Sequence, residues 1–138
     1  MTCHDSFVDF DPEEMPARSC SVSGTAEGLG VFTSHSGGRS RFGRVRVSLG
    51  PHSGPHMYRF IWPASLNRHL PEPFMREACL AGVRRALRDP LDDGSRALQA
   101  AVSIVEGNYH EHTDAHSMEF ATYLAVREAL SQVSFAYA

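Results

Sequence analysis

Alternating hydrophobic and polar residues in the first half of the chain predict a run of short β-strands. Residues 20–22 and 29–32 are rich in apolar side chains and are broken by glycines, which indicates one or two strands. In residues 45–49, valine and leucine alternate with arginine and serine, the period-2 pattern of a strand with one buried face. A proline- and glycine-containing turn at 51–55 precedes a further apolar strand at 57–62.

The period of the pattern changes to that of an α-helix after residue 63. Apolar residues recur at helical spacing over residues 75–87, and Asp89-Pro90 ends this helix. A strand is predicted at 98–104, and a second helix, capped by Thr113 or Asp114, runs to Leu130. The order β-β-β-α-β-α predicts an α+β fold, a two-layer sandwich of one mixed four-stranded sheet with two helices on one face.

Composition places the chain among ordinary globular domains. It has 138 residues, of which 42% are hydrophobic and 21% charged. No apolar run approaches the ~18 residues that cross a bilayer, and three cysteines are too few for a disulfide framework. Residues 1–18 carry five acidic residues and one basic residue without periodicity, so we expect a flexible acidic tail before a single domain at 19–138. Since no secretory signal pattern is present, we expect a cytoplasmic protein with no membrane partner.

Positive charge is concentrated in one segment, although the net charge is −3. All thirteen basic residues are arginines, and residues 36–48 contain Arg39, Arg41, Arg44 and Arg46 without any acidic residue. Guanidinium groups bind phosphate oxygens in a forked geometry. This segment is therefore the predicted contact with a polyanion.

Two short motifs resemble domain IV of translation elongation factor G. Residues 36–45 read S-G-G-R-S-R-F-G-R-V and are similar to the S-G-G-R-G-Q-Y-G-x-V stretch of that domain. Residues 107–111 read G-N-Y-H-E and resemble its G-S-Y-H-E/D loop. Both motifs fall at the corresponding places of the same strand and helix order, and the resemblance spans roughly residues 27–132.

The resemblance implies a fold, a site and a set of partners. The implied fold is the one shared with the second domain of small-subunit ribosomal protein five, with a left-handed βαβ crossover. In elongation factor G this domain enters the decoding site of the small subunit, where its two tip loops approach the tRNA anticodon stem and the mRNA codon. The implied partners are ribosomal RNA, the small ribosomal subunit or tRNA. The chain departs from the family at Ser40, Arg41, His112 and Thr113, and it contains no phosphate-loop motif of a GTPase.

We therefore predict a non-catalytic RNA- or ribosome-binding module without a GTPase and without a cofactor. Glycines let the main chain approach the phosphates, arginines bind them, and aromatic rings stack on unpaired bases. The predicted RNA-binding residues of the two tip loops are Gly37, Gly38, Arg39, Arg41, Phe42, Arg44, Tyr109 and His110.

Two other functions are compatible with the sequence. The first is a protein-interaction module that forms a homodimer or docks a separately encoded protein partner. The second is metal binding through His110, His112 and His116, because imidazoles at this density are able to hold Zn²⁺ or Ni²⁺. Catalysis has little support in the residues, since the chain shows no nucleophile elbow and no C-x-x-C motif, and Cys79 falls on the apolar stripe of the first helix.

Overall fold

The computed structural model describes residues 5–36, 39–68, 70, 73–108 and 113–137. Its elements in chain order are β1 (Ser6–Phe10), β2 (Ser19–Val22), β3 (Ala26–Ser36), β4 (Arg39–Pro51), β5 (Tyr58–Trp62), a 3-10 turn (Ala64–Arg68), α1 (Pro73–Arg88), β6 (Arg96–Leu98), β7 (Ala100–Asn108), α2 (Ala115–Gln132) and β8 (Phe135–Tyr137).

The main sheet has five strands in the order β1-β5-β7-β4-β3. Neighbouring strands are antiparallel except β5 and β7, which are parallel and are joined through α1. Alternate residues of β4, such as Val45, Val47 and Leu49, are buried in the common core, as are Phe60 and Val102 of the neighbouring strands. The predicted two-layer α+β sandwich is therefore confirmed. The left-handed sense of the crossover stays a prediction.

The predicted number of strands is wrong, because part of the presumed tail is a strand. Ser6–Phe10 pairs antiparallel with β5, from Ser6 opposite Trp62 to Phe10 opposite Tyr58. Its acidic composition predicted a flexible segment, but Asp9 receives two hydrogen bonds from the guanidinium of Arg59, at 2.7 and 3.0 Å. An arginine on the neighbouring strand, distant in sequence, thus neutralises the acidic residue and stabilises the pairing of the two strands.

A second, three-stranded sheet in the order β6-β2-β8 also departs from the prediction. The strand predicted at 98–104 is divided between the two sheets, because Gln99 adopts a positive φ of 57°. Its two halves are β6, which pairs parallel with β2, and β7, which lies in the main sheet. The predicted strand at 20–22 belongs to the small sheet rather than to the main one.

Close contact between β3 and α2 fixes the position of the second helix. A Cβ added at Gly28 would overlap the backbone of Ala125, and one at Gly30 would overlap that of Ala121. Only glycine allows this approach, since any side chain would separate the helix from the sheet. The beginning of α2 is thereby held beside the β3–β4 hairpin.

Candidate nucleic-acid interface

The segments that flank the two motif loops lie together at one end of the main sheet. The β3–β4 hairpin is paired up to Ser36 and Arg39, and the last residue of β7, Asn108, lies opposite Arg44. At Thr113, just before α2, the chain contacts the hairpin: the Thr113 hydroxyl donates a 2.6 Å hydrogen bond to the carbonyl oxygen of Phe42. The fold therefore brings the outer part of the hairpin and Thr113, where the chain enters α2, together at one end of the sheet, the tip.

Asp114 joins the start of α2 to the hairpin. Its Oδ1 accepts hydrogen bonds from the backbone N–H of Ser117, at 2.8 Å, and from the Ser117 hydroxyl, at 2.7 Å, which makes it the N-cap of α2. Its Oδ2 lies 3.5 Å from Nε of Arg41. Partial burial raises the pKa of Asp114, but the Ser117 hydrogen bonds and the Arg41 charge outweigh it, so the pKa lies below its ordinary value.

Beside the tip, on the sheet face away from the helices, two arginines share one carboxylate. Glu106 Oε1 accepts hydrogen bonds from Nη1 of Arg44, at 3.0 Å, and from Nε of Arg46, at 3.1 Å. Arg44 also donates to Oδ1 of Asn108 at 2.9 Å. The side-chain hydrogen bonds from Arg46 and Arg44 lower the pKa of Glu106, so it is ionised at neutral pH and offsets one of the two positive charges.

The charge of Glu106 could not be assigned to this face from the sequence alone. The register between β4 and β7 shifts between Arg46 and Val47, where Val105 is the extra residue of a β-bulge. Strict alternation from the buried Ile104 would place Glu106 on the core side. The bulge is the reason that the carboxylate instead faces the two arginines.

The structure describes only part of the predicted site. It places Arg41 and Phe42 at the tip, in contact with Asp114 and Thr113, two residues that the site prediction left out. Arg44 lies beside the tip, on the face that carries Glu106. Four other predicted residues lie outside the described part of the chain: Gly37, Gly38, Tyr109 and His110. For Arg39, the structure describes the backbone but not the side chain. Their roles stay predictions.

The proposed metal ligands are likewise only partly described. His110 and His112 lie outside the described residues, while His116 is exposed on α2 with its ring edge-on to Phe32, at 5.7 Å between centroids. Among the residues that the structure does describe, no three His, Cys, Asp or Glu side chains are grouped to hold a metal ion. Metal binding by the three histidines stays a prediction.

Cys79 belongs to the hydrophobic core, as its place on the apolar stripe of the helix predicted. It is fully buried in α1, and this burial raises the pKa of its thiol to about 12. A thiol at this pKa is almost entirely protonated at neutral pH and is a poor nucleophile. Within the described ranges, the structure contains no helix both long and apolar enough to span a bilayer.

Comparison with known proteins supports the predicted resemblance. No family model matches the chain. Over 112 residues the chain is 25% identical to elongation factor G of Dehalococcoides mccartyi. The aligned region covers 80% of this chain and 16% of that protein. The structure superposes on a protein from Thermus thermophilus with a TM-score of 0.72 and 21% identity, covering 88% of this chain and 18% of the other.

These two matches have different weight. The structural match, at 21% identity, shows a shared fold. The sequence match concerns a translation factor, of which the chain spans 16% of the length. Taken with the geometry of the tip, they confirm what the two motifs predicted: the chain is a module similar to one domain of elongation factor G.

Proposed function

We propose that this module binds RNA of the small ribosomal subunit through its tip, without catalysis, in the cytoplasm where translation takes place. The observation that carries the proposal is the 2.6 Å hydrogen bond from Thr113, which follows the second motif, to the carbonyl oxygen of Phe42 in the first motif. It holds the segment that follows the second motif against the arginine-rich hairpin of the first motif. The sequence similarity to a translation factor supports the same class of partner.

Among the arginines whose side chains the structure describes, Arg41 is the best placed to bind phosphate. Its side chain is 52% exposed, and its ion-pair distance to Asp114 is 3.5 Å. Arg44 is 29% exposed and makes hydrogen bonds of 3.0 and 2.9 Å to two side chains. An exposed guanidinium with a long ion-pair distance gives up little interaction energy when it leaves its partner for a phosphate. Arg41 therefore contributes more to phosphate binding than Arg44.

The proposal is tested by co-sedimentation of the protein with small ribosomal subunits over a series of salt concentrations. We expect binding that weakens steeply with salt, with a slope of about −0.7 to −0.9 per phosphate neutralised. The double variant Arg39→Gln/Arg41→Gln should bind more weakly and with a shallower slope. The control is Arg84→Gln/Arg88→Gln, which removes the same charge from exposed arginines of α1. Absence of binding at low salt, or equal loss in both variants, would contradict the proposal.

Docking of a protein partner is the second candidate function. Phe7, Val31 and Val105 are large apolar side chains exposed on strands of the main sheet. Phe7 and Val31 lie on the two edge strands of that sheet, where an apolar side chain is available to the surface of a partner. Light scattering of the purified chain distinguishes a homodimer from a monomer. A dimer that dissociates when Val105 is replaced by Glu would support self-association through this face.

A further inference from the structure

A cavity of about 430 Å³ lies at the end of the sheet opposite the tip. Tyr58 at its wall is paired with Ala100, the first residue of β7, whereas the tip adjoins Asn108, the last one. The cavity opens between the segment that follows β1, the final turns of α1 and the start of β6. Its volume is in the range that holds a small molecule.

Three arginines line this cavity. Arg84 and Arg88 are four residues apart on α1 and so lie on one face of the helix, and Arg96 begins β6. In the part of the chain that the structure describes, the ion pairs of α1 are made by other residues, Arg76 and Arg85. Like charges at this spacing destabilise a helix, so a ligand that neutralises them would relieve a standing repulsion.

Arg96 has unused hydrogen-bonding capacity within the wall. Its Nε is buried without a hydrogen-bond partner among the described residues, and its Nη1 donates a long bond, 3.5 Å, to the carbonyl oxygen of Glu14. A buried donor that lacks a partner is costly, and an anion in the cavity would supply one.

Part of the wall is apolar, and one fixed hydroxyl lies beside that part. Phe10 and Leu87 line it, and the guanidinium of Arg84 lies over the Phe10 ring, 5.1 Å from its centroid. The Tyr58 hydroxyl donates to the carbonyl oxygen of Ala97 at 2.7 Å, and burial raises its pKa to about 12. Tyr58 therefore stays neutral and adds no negative charge against an anionic ligand.

Three acidic residues also line the cavity. Asp11 is held in place, since its carboxylate accepts hydrogen bonds from the His56 ring at 2.7 Å and from the backbone N–H of Met57 at 2.8 Å. Glu13 and Glu14, which follow it, are exposed and line the same cavity. Among the described residues neither forms an ion pair with the three arginines. Their negative charges repel an incoming anion.

We propose that this cavity binds a small phosphate-bearing ligand through Arg84, Arg88 and Arg96, against the repulsion of Glu13 and Glu14. The forked guanidinium groups supply several donors to phosphate oxygens, and the apolar wall accommodates the uncharged part of the ligand. This site is separate from the tip and does not depend on RNA binding.

Isothermal titration calorimetry of the intact chain with inorganic pyrophosphate tests the proposal, with inorganic phosphate and citrate as further probes. We expect saturable binding that is at least about tenfold weaker in Arg84→Gln/Arg88→Gln, as expected when hydrogen bonds to charged groups are lost. Glu13→Gln/Glu14→Gln should bind pyrophosphate more tightly. Arg76→Gln/Arg85→Gln, which removes the same charge from α1 outside the cavity, should bind it as the unaltered protein does.

Each other outcome contradicts the assignment. If neither the unaltered protein nor Glu13→Gln/Glu14→Gln binds pyrophosphate, the cavity is not an anion site. Equal loss in the two arginine variants would mean diffuse attraction by net charge. Weaker binding after removal of the glutamates would make them ligands, and tighter binding of citrate than of pyrophosphate would exclude the preference for phosphate. Arg84 and Arg88 are exposed, so circular dichroism is expected to show an unchanged fold in their variant.

Discussion

The Thr113 hydroxyl and the Phe42 carbonyl oxygen lie 2.6 Å apart, although 71 residues separate them in sequence. This hydrogen bond joins the segment that leads into α2 with the outer part of β4. Because Asp114 follows directly and caps α2, the contact aligns the helix start with the hairpin. Together with the Arg41–Asp114 ion pair, this hydrogen bond holds the start of α2 beside the hairpin.

Replacement of Thr113 by Val removes this contact while keeping the shape of the side chain. We expect the free energy of unfolding to fall by about 1 kcal/mol, the typical contribution of one hydrogen bond. Urea denaturation measures the change. Thr33→Val is the control, since Thr33 is exposed on the edge strand β3 and its replacement should alter stability by less than about 0.5 kcal/mol. Equal effects of the two changes would show that the Thr113 bond does not hold the tip.

Gly28→Ala should destabilise the fold strongly, because the new methyl group would overlap the backbone of α2 at Ala125. Overpacking against backbone is expected to cost at least about 2 kcal/mol. Gly24→Ala is the matched control: its nearest neighbours, atoms of Ser134, lie 3.5 Å from the added Cβ, at ordinary contact distance. Thermal or urea unfolding of both variants checks the difference, and a tolerated Gly28→Ala would refute the close approach of β3 and α2.

Glu106→Gln should strengthen binding to the ribosomal subunit. The substitution removes the negative charge that Arg44 and Arg46 share, and leaves both guanidinium groups available to phosphate. In the salt series the slope should steepen by roughly one unit, corresponding to one further phosphate contact.

Glu119→Gln is the control for Glu106→Gln, because Glu119 pairs with Arg85 in the helical layer. It alters the net charge equally but lies away from the sheet face. If both variants bind identically, the face that carries Arg44 and Arg46 does not meet RNA.

Stability should depend on pH through His56 and Asp11. The hydrogen bond to Asp11 raises the pKa of His56 above its ordinary value of 6.5, so the folded state favours the protonated ring. This contribution is complete below the unfolded pKa and disappears as the pH rises through the folded pKa. Asp9 acts in the same direction by its charge. His56→Gln should therefore lower the melting temperature more at about pH 5.5 than at about pH 8.5.

Asp11→Asn supplies the control for this pH dependence. In its presence, the effect of His56→Gln on the melting temperature should become nearly independent of pH, since the principal partner of the imidazolium is absent. Melting curves of the four proteins at both pH values form a double-mutant cycle. A pH-dependent effect of the same size in the Asp11→Asn background would show that another group holds the His56 proton.

The periodicity of the sequence was sufficient for the central architecture. Strict alternation in residues 45–49 identified the buried and exposed faces of β4, because successive side chains of a strand point to opposite faces of the sheet. The helical spacing of apolar residues likewise placed α1 and the end of α2, and Asp114 was recognised as a candidate cap from its residue type and position. The two loop motifs gave the resemblance that the comparisons support.

Tertiary structure decided the features that depend on distant partners. β1 is a strand because β5 offers it an edge and Arg59 a countercharge for Asp9, neither of which is visible in residues 6–10 alone. The bulge that turns Glu106 toward Arg44 arises from the pairing of β4 with β7. Local sequence determines which residues of a strand face the core and where the chain turns. Which strands become neighbours, and which charged side chains pair across them, is determined only when the strands have assembled.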